Sequence, residues 1–455
     1  MVGGGMAGLL AARVLADRYA EVTIVDRDDL PEAAVARRGV PQAHHAHALL
    51  ARGEQVLEEL FPGLTADLAA AGAVTGDVLA DTRMYLSGHR LRPACSGLVA
   101  VSASRAVLES QVRVRVRALP SVRIQKRCDA VGLARAAAGR AVTGVRVLRR
   151  ADHSAEEVLD ADVVVDASGR TSRAPSWLQA LGIRGSEEER LALDVAYATR
   201  RYRLGRDALG GDLAVLHGLT PDHPRGGVLA IIGDDEAMLT LAGVIGDRPP
   251  RDPGGFDAFA ASLRFPDIHD AIRNAEPLDD PVTYRFPASV WRHYERVPDL
   301  PDGFGVMGDG TCSFNPVYGQ GMTIAALQAV ALRRHLERHR RLRARRFARE
   351  LAKVVRPPWQ MATGADLVFP GVGRPRTRTQ RLLGGYVARI HATAARDPDV
   401  ARAFVRVSGL VDGPQALLRP STVWRVLRPG QPPTARPSQS QGPAAASTRS
   451  EGPSG

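Results

Sequence analysis

The sequence predicts an α/β fold in which a Rossmann-like domain is interleaved with a mixed or antiparallel β-sheet domain and is followed by a helical C-terminal region. A glycine-rich turn, a helix and an apolar strand follow one another at the start of the chain, and another strand, turn and helix lie near residue 310. Between them are the stretches LDVAYATRRYRL, GVLAIIG and MLTLAGVIG, which are typical of strands and indicate a second sheet.

The N-terminal turn, VGGGMAG, precedes a predicted helix and an apolar strand that ends at Asp26. Its glycines permit a tight turn, close approach of a pyrophosphate and close packing of the helix on the strand, while Asp26 accepts hydrogen bonds from a ribose diol. The glycines concerned are Gly3, Gly5 and Gly8. The spacing predicts a dinucleotide site. Because only Met1 and Val2 precede the glycines, whereas a parallel sheet buries its first strand, we also expect a misassigned or truncated start.

The second turn, GDGTCSFNPVYGQGM, places a carboxylate, Asp309, after a predicted strand and before an Ala-rich helix. Asp309 offers its carboxylate to a sugar-like chain of hydroxyls, and the helix directs its unpaired N–H groups and the positive end of its dipole at an electron-rich ligand atom. Pro316 cannot extend the strand, and the glycines allow close backbone approach. The predicted ligand-binding residues of this turn are Gly308, Asp309, Pro316, Gly319, Gly321 and Met322. With the N-terminal turn, they predict a flavin site.

Together the two turns resemble those of the flavoprotein monooxygenases with the para-hydroxybenzoate hydroxylase fold, over most of residues 1–430. The resemblance implies FAD as the cofactor and adds three arginines to its predicted ligands, Arg27, Arg38 and Arg105. Arg105, in SRAVLE, matches the arginine with which the family's helix contacts the flavin diphosphate. Arg38 lies where the family has a basic residue near the ribityl and phosphate groups.

A third segment, VVVDASGRTSR, is similar to the family's second flavin and nicotinamide motif but departs from it. Ser168 occupies the usual Asp position before Gly169, Asp166 lies two residues earlier, and Ser172 and Arg173 follow. The departure leaves open how the nicotinamide is received.

The resemblance implies a monooxygenase that takes NAD(P)H as a transient co-substrate and O2 as oxidant. A flavin C4a-hydroperoxide would then hydroxylate or epoxidise an apolar aromatic, polyketide or terpenoid secondary metabolite. The sequence identifies no catalytic residue. Buried tyrosines are more often structural than functional. The candidate substrate contacts are nevertheless four tyrosines, Tyr197, Tyr202, Tyr284 and Tyr318.

Three alternatives stay open. A flavin-dependent halogenase needs a lysine between flavin and substrate and a tryptophan-rich motif, and Lys126 and Lys353 lie in neither context. A geranylgeranyl-type flavin reductase shares the NP-x-x-G-x-G turn. A degenerate, non-catalytic flavoprotein is the third.

Composition excludes several other classes. The 455-residue chain carries a formal charge of +12, but of its 61 basic residues only two are lysines, leaving 59 arginines. This skew is typical of a GC-rich coding sequence, so we expect no nucleic-acid partner.

The three cysteines are widely spaced and indicate a reducing cytoplasm. The most apolar window, 227–246, contains three acids, so we expect no membrane span; an amphipathic C-terminal contact, as in some related epoxidases, stays open. The oligomeric state is not predicted.

Three histidines in GVPQAHHAH, which are His44, His45 and His47, lack a local Cys, Asp or Glu to complete a metal site. We therefore predict no metal and a structural or flavin-proximal role for them.

The predicted domains are discontinuous because the three motifs are distributed along the chain. They are an FAD-binding domain over 1–78, 100–190 and 285–344, a substrate domain over 79–99 and 191–284, a helical region over 345–428, and a disordered tail over 429–455.

Overall fold

A computed structural model describes residues 1–37, 39–136, 141–150, 154–373 and 375–428. The helices of these ranges are α1 (Met6–Ala16), α2 (Ala51–Leu60), α3 (Leu64–Ala70), α4 (Arg105–Arg117), α5 (Ala174–Ala180), α6 (Pro253–Ala261), α7 (Asp267–Ile272), α8 (Gly321–Arg338), α9 (Ala344–Asp366), α10 (Arg378–Ala394), α11 (Pro398–Ser408) and α12 (Pro420–Leu427). The strands are β1 (Val22–Val25), β2 (Val74–Asp77), β3 (Thr82–Leu86), β4 (His89–Arg90), β5 (Val99–Ser102), β6 (Val122–Gln125), β7 (Cys128–Arg135), β8 (Val142–Arg149), β9 (Glu156–Asp160), β10 (Val164–Asp166), β11 (Glu187–Arg203), β12 (Ala214–His217), β13 (Arg225–Ile231), β14 (Glu236–Gly243), β15 (Glu276–Pro277), β16 (Val282–His293), β17 (Phe304–Val306) and β18 (Cys312–Ser313).

A parallel layer carries the N-terminal motif. Strand β1 pairs with β6 and β10 pairs with β17, both in parallel. Val2 joins the two pairs through parallel bridges to Val25 and Asp166. Its amide donates to the Val165 carbonyl at 2.9 Å, and its own carbonyl accepts from the Ala167 amide at 2.8 Å. The first strand of the layer is therefore reduced to the residues around Val2, at the centre of the sheet.

Helices α1, α4 and α8 cover this layer because each presents an apolar side to it. Leu9 and Leu10 of α1, Val112 of α4 and Ala329 of α8 are fully buried in one core with Ile24 of β1. This is the helix-on-parallel-sheet arrangement that the glycine turn and the following apolar strand predict.

The second layer is a large mixed sheet in the order β18-β16-β11-β14-β13-β12-β3-β4, with β15 added to β11. Its neighbours are antiparallel except for β12 and β3, which are parallel. Strand β13 shows why the sheet has two distinct faces. Leu229 and Ile231 are buried with Phe256 of α6, whereas Val228 and Ala230 alternate with them and lie on the other side.

Two smaller antiparallel sheets, β2-β5 and β7-β8-β9, flank these layers, and α9–α12 form the C-terminal part. Trp359 of α9 is buried against Trp291 of β16, with ring centroids 5.8 Å apart, so α9 is fixed on the large sheet. The predicted fold class, including its helical C-terminal region, is confirmed. The domain boundaries stay predictions, and the predicted tail over 429–455 lies outside the described residues.

Among the helices of the described ranges, none combines the length and the apolar character needed to cross a bilayer.

Candidate cofactor and substrate site

One continuous cavity of about 1970 Å³ lies between the two layers and the C-terminal helices. Sites for a single ligand usually measure roughly 300 to 1,000 Å³, so this one has room for two. We call the part lined by the turns before α1 and α8 the motif end. We call the part lined by β11, β13, β14, β16 and α9 the sheet end.

The N-terminal turn can exist only with glycine at two positions. Gly3 has φ +95°, and a Cβ there would lie 2.6 Å from the Ala167 carbonyl oxygen. A Cβ on Gly8 would lie 1.8 Å from the Gly3 carbonyl oxygen. Gly3 and Gly5 line the cavity, whereas Gly8 lies beneath it, and no side chain caps the start of α1 at Gly5. The N–H groups at such a helix start point along the helix axis and favour an anion in general.

Asp26 lies at the end of β1, is buried, and lines the cavity. Its Oδ2 accepts from the Gly4 amide at 2.5 Å and its Oδ1 from the Asp28 amide at 2.8 Å. Burial raises the pKa of the Asp26 carboxyl, while the two hydrogen bonds and the charge of Arg37 act in the opposite direction. Asp26 thus secures the glycine turn as well as facing the cavity.

Arg37, a residue that the sequence analysis missed, is buried beside this turn. Its Nε donates to Glu109 Oε1 at 2.8 Å, its Nη1 to Asp28 Oδ2 at 3.2 Å, and its Nη2 to the Gly4 carbonyl at 3.4 Å. The neighbouring Arg38, which was predicted instead, lies outside the described residues. A single arginine in a loop carries no periodic signal that would mark it as buried.

The other two predicted arginines lie at the cavity wall. Arg105 begins α4, and its Nη2 donates to Glu109 Oε2 at 3.3 Å. Arg27 is exposed at the rim and donates to Thr171 Oγ1 at 3.3 Å.

The Gly308–Gly310 turn brings Asp309 to the same cavity. Gly308 has φ +63°, and a Cβ there would lie 2.8 Å from Ala7 Cβ of α1. Burial raises the pKa of the Asp309 carboxyl, and the charges of Arg170 and Arg105 lower it. The two motifs, distant in the sequence, are therefore in direct contact.

The start of α8 also opens into the cavity. Gly319 has φ +63° at the end of the Pro316–Tyr318 turn, and a Cβ there would lie 2.7 Å from Ala48 Cβ. No side chain caps α8, and Pro316, Gly319, Gly321 and Met322 all line the cavity. The positive end of the α8 dipole therefore faces the space.

A buried polar network that the sequence analysis missed lies at the same turn. Asn315 Nδ2 donates to Asp366 Oδ1 at 2.9 Å, and the Tyr318 hydroxyl donates to the same oxygen at 2.7 Å. The Tyr197 hydroxyl donates to Asn315 Oδ1 at 3.3 Å. Burial raises the pKa of Asp366 to about 6. Asp366 ends α9, about 50 residues beyond the turn, and nothing in a helical pattern marks such a contact.

Two of the three histidines are held by hydrogen bonds at the cavity wall. His45 Nδ1 hydrogen-bonds with Thr199 Oγ1 at 2.8 Å, and His47 Nδ1 with the His45 carbonyl at 2.8 Å, whereas His44 is exposed. Burial lowers the pKa of His45 to about 4 and that of His47 to about 3. Both rings are therefore neutral at pH 7.

The candidate tyrosines differ in whether their side chains reach the cavity. Tyr197, Tyr284 and Tyr318 line the cavity. Tyr202 lies on the opposite face of β11, buried with Phe256, so its side chain does not reach the cavity. The period of two along a strand explains the difference between positions 197 and 202.

The altered motif after β10 contains both a buried residue and residues that line the cavity. Asp166 is fully buried, and its Oδ2 accepts from Ser172 Oγ at 2.6 Å while its Oδ1 accepts from the Ser168 amide at 2.9 Å. Asp166 therefore fixes the turn. Ser168, Gly169 and Arg170 line the cavity. Neither lysine does: Lys126 and Lys353 are both exposed and lie away from it.

Comparison with known proteins adds the following. No protein-family model matches the chain. Protein Rv3254 of Mycobacterium tuberculosis strain H37Rv is 36% identical over 428 residues, which cover 90% of this chain and 89% of that protein.

Solved structures show the fold. A flavoprotein/dehydrogenase from Cytophaga hutchinsonii has a TM-score of 0.64 at 14% identity, covering 92% of this chain and 95% of that one. The p-nitrophenol 4-monooxygenase PnpA from Pseudomonas putida has a TM-score of 0.61 at 15% identity, with coverages of 91% and 97%. The flavin-dependent brominase Bmp2 has a TM-score of 0.58 at 16% identity, with coverages of 93% and 91%. The fold is therefore that of flavin-dependent monooxygenases and halogenases, as the sequence predicted.

Proposed function

We propose a function from two premises: the chain belongs to the family of Protein Rv3254 of Mycobacterium tuberculosis, and it has the fold of the flavin-dependent monooxygenases related to para-hydroxybenzoate hydroxylase. The protein is an FAD-dependent monooxygenase that uses NAD(P)H and O2 to hydroxylate or epoxidise an apolar aromatic, polyketide or terpenoid compound. One observation carries this proposal. A single cavity joins both glycine turns to the face of a large sheet.

The residues of the motif end fit FAD. A Cβ at Gly3 or Gly8 would collide with the backbone, so the turn keeps the close approach that a pyrophosphate needs. The uncapped start of α1, with Arg105 nearby, would hold the pyrophosphate, Asp26 the ribose, and Asp309 the ribityl hydroxyls. The open start of α8 would face the electron-rich edge of the flavin ring.

Bound FAD, once reduced by the nicotinamide, supplies the activation of O2. The chain's own residues position the substrate and control charge and water. The α8 dipole stabilises negative charge at the helix start, and the rings of His45 and His47, neutral at pH 7, add no positive charge to that of the dipole. Val228 and Ala230 of β13 contribute apolar surface to the sheet end, which favours an apolar substrate there.

The polar network at Asn315 is one place in the cavity where the chain can hold a proton. The Tyr318 hydroxyl donates to Asp366, whose pKa of about 6 lies close to physiological pH. Tyr318 also lines the cavity, so Asp366 acts on its contents through that hydroxyl.

The test is an absorption titration with FAD, followed by anaerobic reduction with NADPH or NADH and exposure to 18O-labelled O2 with candidate polyenes and phenols. We expect bound flavin and one 18O atom in the product. Product formation under strict anaerobiosis would instead support the geranylgeranyl-type reductase, which shares this turn. NAD(P)H oxidation without any oxygenated product would contradict the proposal. Protein that takes up no FAD would indicate the degenerate flavoprotein.

A halogenase is disfavoured by the position of the lysines. Lys126 and Lys353 are the lysines of the chain, and neither lines the cavity. Adding bromide or chloride to the same incubation checks this directly, because a halogenated product would require another residue to replace the lysine.

A further inference from the structure

We propose that Arg170 binds an anionic oxygen of the substrate, so that the compound accepted at the sheet end is an acid, such as a carboxylate, phenolate or enolate, on an apolar skeleton. The inference rests on the proposed function and deepens it by naming the substrate class.

Arg170 is placed by the altered motif at the junction of the two ends. It follows Gly169, which has φ +83°, in the Gly169–Thr171 turn after β10. Its side chain is half-buried and lines the cavity. A residue of the parallel layer thus extends to the large sheet.

The contacts of the guanidinium are aromatic rather than acidic. Its Nη2 donates to the Tyr284 hydroxyl, and its central carbon lies 5.4 Å from the centroid of the Tyr284 ring and 5.3 Å from that of Phe286. Both rings belong to β16. They fix the plane of the guanidinium through cation–π contacts.

The charge of Arg170 has no paired carboxylate among the residues that the structure describes. A guanidinium has five N–H donors, and the Tyr284 hydroxyl is the acceptor found for it within those ranges. Asp309 acts on it only through space and lies beyond the 4.0 Å limit of an ion pair. By contrast, Arg37 and Arg105 in the motif end both pair with Glu109.

A half-buried cation without a partner is unfavourable unless a ligand completes its hydrogen bonds. Burial lowers the pKa of Arg170, which reports this desolvation, and the charge of Asp309 acts in the opposite direction. An oxyanion accepts charge-assisted hydrogen bonds from the remaining N–H donors, and a carboxylate accepts two parallel ones.

The residues around Arg170 indicate the chemical character of the rest of the ligand. Tyr197 lies opposite Tyr284 in the register of β11 and β16, and the His45 ring centroid lies 5.4 Å from that of Tyr284. The histidine is neutral, and Val228 and Ala230 of the same cavity wall are apolar. The site therefore suits a molecule with one anionic oxygen and an extended apolar body.

The experiment compares 2-naphthoate with 2-naphthamide, two probes that share a ring system and differ in charge. Each is titrated by calorimetry into the FAD-loaded protein. We expect 2-naphthoate to bind at least tenfold more tightly. In R170Q the affinity for 2-naphthoate should fall at least tenfold while that for 2-naphthamide changes less than twofold, and R170K should fall between R170Q and wild type.

The matched control is R190Q, which removes an exposed arginine of β11 that does not line the cavity. Its affinities should equal those of the wild type. Equal affinity of the wild type for both probes overturns the proposal, even if R170Q does not fold. An equal loss for both probes in R170Q also overturns it, since that indicates a packing role.

Two further measurements distinguish a failure of this proposal from a failure of the proposed function. If R170Q raises the NADPH concentration needed for anaerobic flavin reduction tenfold and leaves 2-naphthoate binding unchanged, the anion is a nucleotide phosphate and the proposal is wrong. If wild-type protein takes up no FAD, the proposed function itself fails. Protein that binds FAD but shows no preference for the anionic probe overturns the substrate class alone.

Discussion

The two ends of the cavity are built in different ways. The motif end depends on backbone geometry: Gly3, Gly8 and Gly308 occupy positions where a Cβ would meet another group at 1.8 to 2.8 Å. The sheet end depends on side chains that converge from β11, β13, β16 and α9. A backbone site accepts one ligand shape, whereas a side-chain site changes with each substitution. This difference is expected of a fold that keeps one cofactor while its substrates vary.

The two ends also differ in how charge is compensated. At the motif end, Glu109 accepts from Arg37 and Arg105 and also pairs with Arg113 at 3.4 Å. At the sheet end, Arg170 has no carboxylate within ion-pair distance among the described residues, and Asp366 accepts from neutral donors only. Each of these three arginines of the motif end therefore has a carboxylate partner, whereas Arg170 has none among the described residues.

The largest effect is expected from Gly8→Ala. The new Cβ would lie 1.8 Å from the Gly3 carbonyl oxygen, so the turn must open, at a cost of about 4 kcal/mol in the free energy of unfolding. FAD uptake should be lost as well. Denaturant unfolding and FAD titration measure the two effects. Gly185→Ala is the control because nothing lies within 4 Å of its Cβ. A G8A protein that binds FAD like the wild type would remove the distinction between the ends.

The effect of Asp366→Asn on the pH dependence of the free energy of unfolding tests the sheet end. The raised pKa of about 6 means that the folded protein keeps a proton on Asp366 between about pH 4 and pH 6, where the unfolded chain has released it. Wild-type stability therefore falls as pH rises through this window, by about 2 to 3 kcal/mol in total from this group. D366N lacks this titration, so its stability relative to the wild type should increase by that amount between pH 4 and pH 7.

Urea unfolding at both pH values measures the difference, and other titrating groups cancel because both proteins contain them. Asp280→Asn, which removes a carboxylate at an exposed position, is the matched control. A pH-independent difference for D366N would place the Asp366 carboxyl at an ordinary pKa and remove the proton-holding role of the network.

A smaller effect is expected from Asp309→Ala at the motif end. We expect FAD affinity to fall roughly tenfold, because a charged acceptor of a ligand hydroxyl contributes about 1.5 kcal/mol or more. Fluorescence titration of FAD into the apoprotein measures it, with Asp280→Ala as control. Unchanged affinity would show that the turn holds the cofactor through its backbone alone.

The sequence brought the glycine turns, Asp26 and Asp309 to one site because its signals there are local, and their role in binding a cofactor stays a prediction. Asp26 follows β1 and Asp309 lies shortly after β17, and a strand end in a parallel layer has a fixed place. The burial of Arg37 was not predicted, because it depends on a contact with Glu109 in another helix. The fold class followed from the same motifs and from the strand-like stretches of the second sheet.

The sheet end was predicted only in outline. Three of four candidate tyrosines line the cavity, but Asp366 and Arg170 depend on contacts made across 51 and 114 residues of chain. No spacing rule connects positions that are brought together by the packing of α9 or of the β10 turn on a sheet. Side-chain sites of this kind require the tertiary structure.

The smallest effect is expected from Ala230→Trp, which tests whether the two ends of the cavity bind different ligands. Ala230 lines the sheet end from β13, while its neighbours Leu229 and Ile231 face the core, so Ala230→Trp adds volume to the cavity and not to the core. Product formation should fall roughly fivefold, since a loss of about 1 kcal/mol in binding is typical of a blocked apolar contact. FAD affinity should stay within twofold. Product yield per NAD(P)H measures the first and flavin titration the second, with Ala66→Trp on the exposed side of α3 as control. If FAD affinity falls with product yield, the two ends form one ligand site, and the room in the cavity belongs to the cofactor alone.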